Sequence, residues 1–143
     1  MIVLYDADCG FCRWAMAWAL RRDRHDALAA VPIQSPLGSE LLVDVAPSER
    51  LRWAHVVRED GSHRAGGAAA ADVLSVLPLT RAFGRLAHGL PRTTALLYGV
   101  IAGRRETFGR LVGGEARQRA DALLEAACVT TAAQLRDRAR STI

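Results

Sequence analysis

Met1-Ile2-Val3-Leu4-Tyr5-Asp6-Ala7-Asp8-Cys9-Gly10-Phe11-Cys12 opens the chain, and its two halves ask for different backbones. Met1 to Tyr5 is apolar, with β-branched and aromatic members, and ends at the polar Asp6-Ala7-Asp8. That is the pattern of a short buried strand. Phe11 to Arg22 is Ala-rich, free of Gly and Pro, and closed by Arg21-Arg22, where cations favour a helix C-terminus. Ala27 to Ile33 returns to a strand pattern. The result is a strand-helix-strand unit whose crossover makes the two strands parallel. Two thiols spaced as Cys9-Gly10-Phe11-Cys12 fall where the first strand hands over to the first helix.

Downstream, Ser35-Pro36-Leu37-Gly38 reads as a turn, with Ser39 and Glu40 as a cap and an acid leading a short helix, Leu41 to Val45. Pro47-Ser48 breaks or resets it. Trp53 to Arg58 is strand-like, Asp60-Gly61 is a strong hairpin signal, and Ser62 to Ala65 is the return strand. Gly66-Gly67 ends the hairpin, and Ala68 to Leu77 reads as a helix stopped by Pro78. Beyond Thr80 the pattern is helical, punctuated at Gly89-Leu90-Pro91, Gly113-Gly114 and Val129-Thr130-Thr131. Four helices are expected there, started by position, by Pro91, by Glu115 and by a Thr131 cap. Strand, helix, strand, helix, strand, strand, helix is the order of an α/β thioredoxin-like fold, here with extra C-terminal helices. That fold carries a CxxC at its first strand-helix junction, so motif and context agree.

Composition narrows the function classes. The chain has 143 residues, close to one compact domain. Twenty-six are Ala, which add little apolar area to a core. The apolar run Trp14 to Leu20 is far short of the ~20 residues that span a bilayer. No basic segment precedes an apolar one at the start, so a secretory signal is not expected and a cytoplasmic location is. The net charge of +4 comes from 19 Arg and no Lys. These arginines form pairs such as Arg21-Arg22 and Arg104-Arg105, never runs of five or more, with few interleaved aromatics, and nucleic acid is not expected as a partner.

Three cysteines, Cys9, Cys12 and Cys128, suit a disulfide scaffold poorly. In a reducing compartment the close pair points to redox chemistry. A thiol at a helix N-cap faces unpaired N–H groups and the positive end of the helix dipole, which favour its anion. Cys9 is then the nucleophile of disulfide exchange. Cys12, in the first turn, is the resolving thiol that closes a reversible disulfide with it. Asp6 either caps the active-site turn, takes a proton from Cys12, or stands solvated in the loop. Zinc or iron-sulfur binding needs a second ligand pair, which the isolated CxxC lacks, so no metal is expected. Trp14 and Trp18 share a helical face and read as core, Cys128 as a buried small hydrophobe, and His55 as a packed histidine. His25, His63 and His88 carry no signal.

Tyr5-Asp6-Ala7-Asp8-Cys9-Gly10-Phe11-Cys12 resembles the hallmark of the DCC family of predicted thiol-disulfide oxidoreductases, Tyr-Asp-Gly-x-Cys-x-x-Cys. The Asp60-Gly61 hairpin, Gly66-Gly67-Ala68, Pro91, and the spaced Tyr98, Ala102 and Arg105 extend the likeness over residues 1–110, leaving 111–143 as a helical extension packed on the same domain. The resemblance implies Asp6, Cys9 and Cys12 as the functional set. Ala7 replaces the family's Gly, where a positive φ would be costly. Leu51-Arg52-Trp53 stands where thioredoxin has a cis-Pro, which places Arg52 and Trp53, with Phe11 from the CxxC, against the substrate. No cofactor is required. The expected partners are a disulfide-containing protein or small thiol substrate and an electron donor; the alternative is a non-catalytic binding module or a thiol metal-binding protein.

Overall fold

The computed structural model describes the backbone of residues 1–141 and side chains through residue 127. Four strands, β1 (Ile2–Tyr5), β2 (Ala29–Pro32), β3 (His55–Val57) and β4 (His63–Ala65), form one sheet in the order β2-β1-β3-β4. β1 runs parallel to β2, with Tyr5 opposite Pro32, and antiparallel to β3, with Leu4 opposite His55; β3 and β4 form the hairpin. With helix α1 (Gly10–Leu20) as the crossover, the chain has the thioredoxin-like fold expected from its element order.

β1 is buried on both sides, which is why its sequence is a continuous apolar run rather than an alternation. Successive side chains point to opposite faces. Val3, Tyr5, Ala30 and Val56 meet Met16, Ala17 and Ala19 of α1, Ala69 of helix α4 (Gly66–Val76), and Ala120 and Leu124 of helix α8 (Gly114–Ser141). Leu4, Val31 and Ile33 form the second cluster with Leu42, just beyond the short helix α2 (Pro36–Leu41). The connection from α1 to β2 is closed by Asp23, whose carboxylate accepts the N–H groups of Ala27 at 3.1 Å and Leu28 at 2.7 Å.

Two expectations are corrected. The short helix begins at Pro36, not Leu41, because Ser35 is its cap: Ser35 Oγ accepts the Gly38 N–H at 3.0 Å and donates to the Pro32 carbonyl at 2.7 Å. Pro36 at the first position needs no N–H partner, so Ser-Pro starts a helix better than Ser39-Glu40 does. Gly38 is required because a Cβ there would collide with the Pro32 and Ile33 backbone. A second short helix, α3 (Pro47–Arg50), follows the reset at Pro47.

Beyond Thr80 the described residues do contain four helices, but one break lies elsewhere. α5 (Arg81–Gly89) and α6 (Pro91–Gly103) are followed by α7 (Arg105–Leu111), divided from α6 at Arg104, and α8 runs through Val129-Thr130-Thr131 without a new cap. β-branched residues lower helix propensity only slightly, so three in a row do not stop an established helix. The reading of Cys128 as a buried hydrophobe lies outside the described side chains.

The two fully buried polar residues among the described ones, Asp72 and His55, have partners. Asp72 of α4, 1% exposed, receives Arg58 Nε at 3.0 Å and Arg58 Nη2 at 2.5 Å, with His88 Nε2 3.2 Å away and Arg64 at 4.0 Å. His55 is packed, as expected: its Nε2 donates to the Arg50 carbonyl at 3.0 Å, which leaves Nδ1 to accept from His63 Nε2 at 2.9 Å. Burial lowers the His55 pKa. Among the described residues, no helix is long and apolar enough to cross a membrane.

Candidate functional site

The β1-to-α1 turn is built by Asp6. Its side-chain Oδ1 accepts the Asp8 N–H at 3.0 Å, and its carbonyl accepts the Cys9 N–H at 3.4 Å. Cys9 is thereby held as the N-cap of α1, extended at φ −91° and ψ 109°, and its Sγ accepts the Cys12 N–H at 3.3 Å. Sulfur occupies the place that a Ser or Asp oxygen usually takes, at the positive end of the helix. Ala7 needs no positive φ; among the described residues the only non-Gly residue with one is Asp26. The Ala7 methyl packs against the main core instead, and its N–H donates to Gln34 Oε1 at 3.1 Å.

Both cysteines are free thiols, and the Cys12 thiol donates toward Cys9 Sγ across 2.6 Å. The Cys12 pKa is pushed far above the usual thiol range. Burial is the largest cause, followed by its hydrogen bond to Cys9 and the negative charges of Cys9 and Asp6; Arg105 opposes them. In this contact Cys9 Sγ is the acceptor and the Cys12 thiol the donor.

The Asp6 carboxylate also accepts Gln34 Nε2 at 2.7 Å and lies 4.0 Å from Arg105 Nη1. Arg105 donates its other contact to the Leu51 carbonyl at 2.6 Å. α7 and α8 close over the start of α1. Gly109 faces the Phe11 backbone, Arg117 donates to the Gly109 carbonyl, and Arg13 of α1 pairs with Asp121 of α8.

Beside the thiols a cavity of about 260 Å³ runs between α1, the sheet, α4 and α6. Of the residues expected at the site, Asp6, Phe11, Cys12, Arg52 and Trp53 all border it. Phe11 stacks on Trp14 and meets Phe108 of α7, with centroids 6.0 and 5.6 Å away. Arg52 lies over the Trp53 ring at 5.1 Å. Trp53 rests against Gly66, whose φ of +61° turns β4 into α4 where a side chain would be strained. Trp18 also borders the cavity, so only part of its surface serves the core.

Two positions escaped the residue-by-residue reading. Tyr98 of α6 entered only through the family likeness, without a role; its hydroxyl accepts the Ala54 N–H at 3.0 Å, and burial raises its own pKa. Gln34 bridges Asp6 and Asp8. The signal for Gln34 was its place: a polar residue just past β2, whose register with β1 sets it beside the Asp6 turn.

Among the described residues, no three His, Cys, Asp or Glu side chains are grouped to hold a metal ion. Comparison with curated proteins and with solved structures gave no significant match. The model of the family described as DCC1-like thiol-disulfide oxidoreductase matches residues 3–111, well over half of the chain. This span takes in the Asp6 turn, both described thiols, the cavity and Arg105, and the chain belongs to the DCC1-like thiol-disulfide oxidoreductase family.

Proposed function

We propose that the protein reduces a substrate disulfide through Cys9 and Cys12, without a bound cofactor, in the cytoplasm. One observation carries this reading: Cys9 Sγ sits at the α1 N-cap with Cys12 Sγ 2.6 Å away. The Cys9 thiolate attacks one sulfur of R–S–S–R′, forming Cys9–S–S–R and releasing R′–S⁻, which takes a proton from water. Cys12 then gives up its proton, attacks Cys9 Sγ and expels R–S⁻. Two electrons pass to the substrate, and a dithiol or thiol donor restores the pair. Asp6, within electrostatic reach of Cys12, holds the turn and receives the Cys12 proton. Phe11, Arg52 and Trp53 line the approach. Residues 1–110 form the redox unit and 111–143 its helical extension, from which Ala120, Asp121 and Leu124 meet α1 and the core.

The backbone beside the thiols is already engaged. Ala54 donates to Tyr98 and accepts from Gly66 at 2.9 Å, and Leu51 accepts from Arg105. An extended peptide therefore has little main chain to pair with, and general protein-disulfide reduction is slow. The test is equilibration in glutathione redox buffers with mass detection of the Cys9–Cys12 disulfide, and trapping with single variants. A reversible two-electron couple, with mixed disulfides accumulating on Cys12→Ser and none on Cys9→Ser, supports the mechanism. Absence of the disulfide at every poise, or equal trapping by the two variants, overturns it.

A further inference from the structure

We infer that the cavity beside Cys12 seats the apolar body of a low-molecular-weight thiol or disulfide, so that the substrate is a small hydrophobic sulfur compound rather than a peptide or glutathione. The inference rests on the redox reading above and adds the substrate class to it.

The wall is hydrophobic on every side away from the thiols: Met16 from α1, Val56 from β3, Ala70, Val73 and Leu74 from α4, and Ile101 from α6. Cys12 forms part of this wall. An apolar cavity of roughly 150 Å³ admits benzene; one of about 260 Å³ accommodates an aryl group with a short alkyl chain.

The polar groups bordering the cavity are each engaged at least in part, Arg52 by Glu49 at 3.4 Å while staying largely exposed. Asp6 is bound by Gln34 and the Asp8 N–H, the Tyr98 hydroxyl by the Ala54 N–H, and Arg105 by the Leu51 carbonyl. A ligand with an ammonium and two carboxylates, as in glutathione, must displace those bonds and leave charges beside apolar wall, which is costly. An alkyl or aryl group loses nothing by entering and is driven in by its own burial. Seated there, its sulfur lies beside Cys12, whose Sγ is 2.6 Å from that of Cys9, which itself stands outside the lining.

Two measurements on the full chain decide this. The first is binding of benzyl methyl sulfide, which cannot undergo exchange, to the reduced protein by calorimetry, with S-methylglutathione as the polar comparison. The second is the rate of dithiol oxidation by benzyl 2-hydroxyethyl disulfide against bis(2-hydroxyethyl) disulfide, each divided by the rate with dithiothreitol to remove intrinsic reactivity. We expect the benzyl sulfide to bind at least tenfold tighter than S-methylglutathione. The corrected preference for the benzyl disulfide should be at least tenfold, falling fivefold or more when Ala70→Leu on α4 or Ala102→Leu on α6 fills the cavity. No binding, a preference below threefold, or faster reduction of insulin than of the benzyl disulfide overturns the inference, whether or not the filled variants fold. Binding without a Cys9–Cys12 couple removes the redox reading alone; a couple without binding removes the pocket alone.

Discussion

Two carboxylates are withdrawn from water in this molecule, Asp72 under the hairpin and Asp6 beside the thiols, and they are treated differently. Asp72 keeps 2% of its side-chain surface and is met by both prongs of the Arg58 guanidinium, with His88 and Arg64 behind it. Asp6 keeps 13%, is held by a neutral amide and a backbone N–H, and has its nearest cation 4.0 Å away. The first charge is matched in geometry and number, so it ties α4 to the hairpin and α5. The second is only partly matched, and its remaining field falls on Cys12. A buried acid with a bidentate partner reads as architecture; one left partly uncompensated next to a proton-holding thiol reads as chemistry.

The sharpest way to break this contrast is Asp72→Asn. It strands Arg58, and we expect a stability loss of about 3 kcal/mol in urea denaturation, at the low end of the buried-pair range because Arg58 is partly hydrated. The order of thiol alkylation by iodoacetamide, Cys9 before Cys12, should stay as it is. Unchanged stability, or a reversed order, would erase the distinction.

Asp6→Asn should do the opposite. Its stability cost stays within about 1 kcal/mol. Two thiol readouts then diverge: alkylation of Cys12 speeds up because a like charge has gone, while resolution of a Cys9 mixed disulfide at pH 7 slows about tenfold because its proton acceptor has gone. If both rates move together, Asp6 acts through the turn alone.

Cys12 supplies a smaller, pH-dependent effect. An unfolded thiol releases its proton near pH 9 whereas folded Cys12 holds it, so the folded state binds more protons above that pH. The stability is complete below pH 9 and is lost as pH rises beyond it, by about 1 kcal/mol between pH 8 and 10. Cys12→Ala should flatten that limb. The smallest effect is on the acid side: buried His55 resists the proton that the unfolded chain accepts below about pH 6.5. Stability should fall from pH 7 toward pH 5, and less steeply in His55→Gln.

The same contrast shows what was legible in the sequence. Asp6, Cys9 and Cys12 sit within seven residues, and one strand-to-helix turn dictates their relation, so the N-cap placement of Cys9 follows from local pattern. The sheet order likewise follows from the apolar run, the Ala-rich crossover and Asp60-Gly61. Asp72, His88 and Arg58 lie far apart in the chain, and nothing local marks their convergence. Tyr98 over Ala54 and Arg105 over Leu51 are hidden for the same reason: they depend on how α6 and α7 dock. Ser35-Pro36 is a different failure, since its signal was present and was read as a turn.

The helix that carries both thiols is finished from the far end of the chain. Arg13 of α1 pairs with Asp121, and Ala120 and Leu124 of α8 fill the core beneath it. During synthesis Cys9 and Cys12 are made over a hundred residues before those partners, an interval of roughly 5–20 s at usual translation rates. Until α8 emerges, a short α1 without its packing is marginal in water, and the N-cap that sets the two sulfurs apart has no stable helix to belong to. The nascent chain therefore presents two thiols without the helix start that separates them, and the distinction between the proposed attacker and resolver arrives with α8.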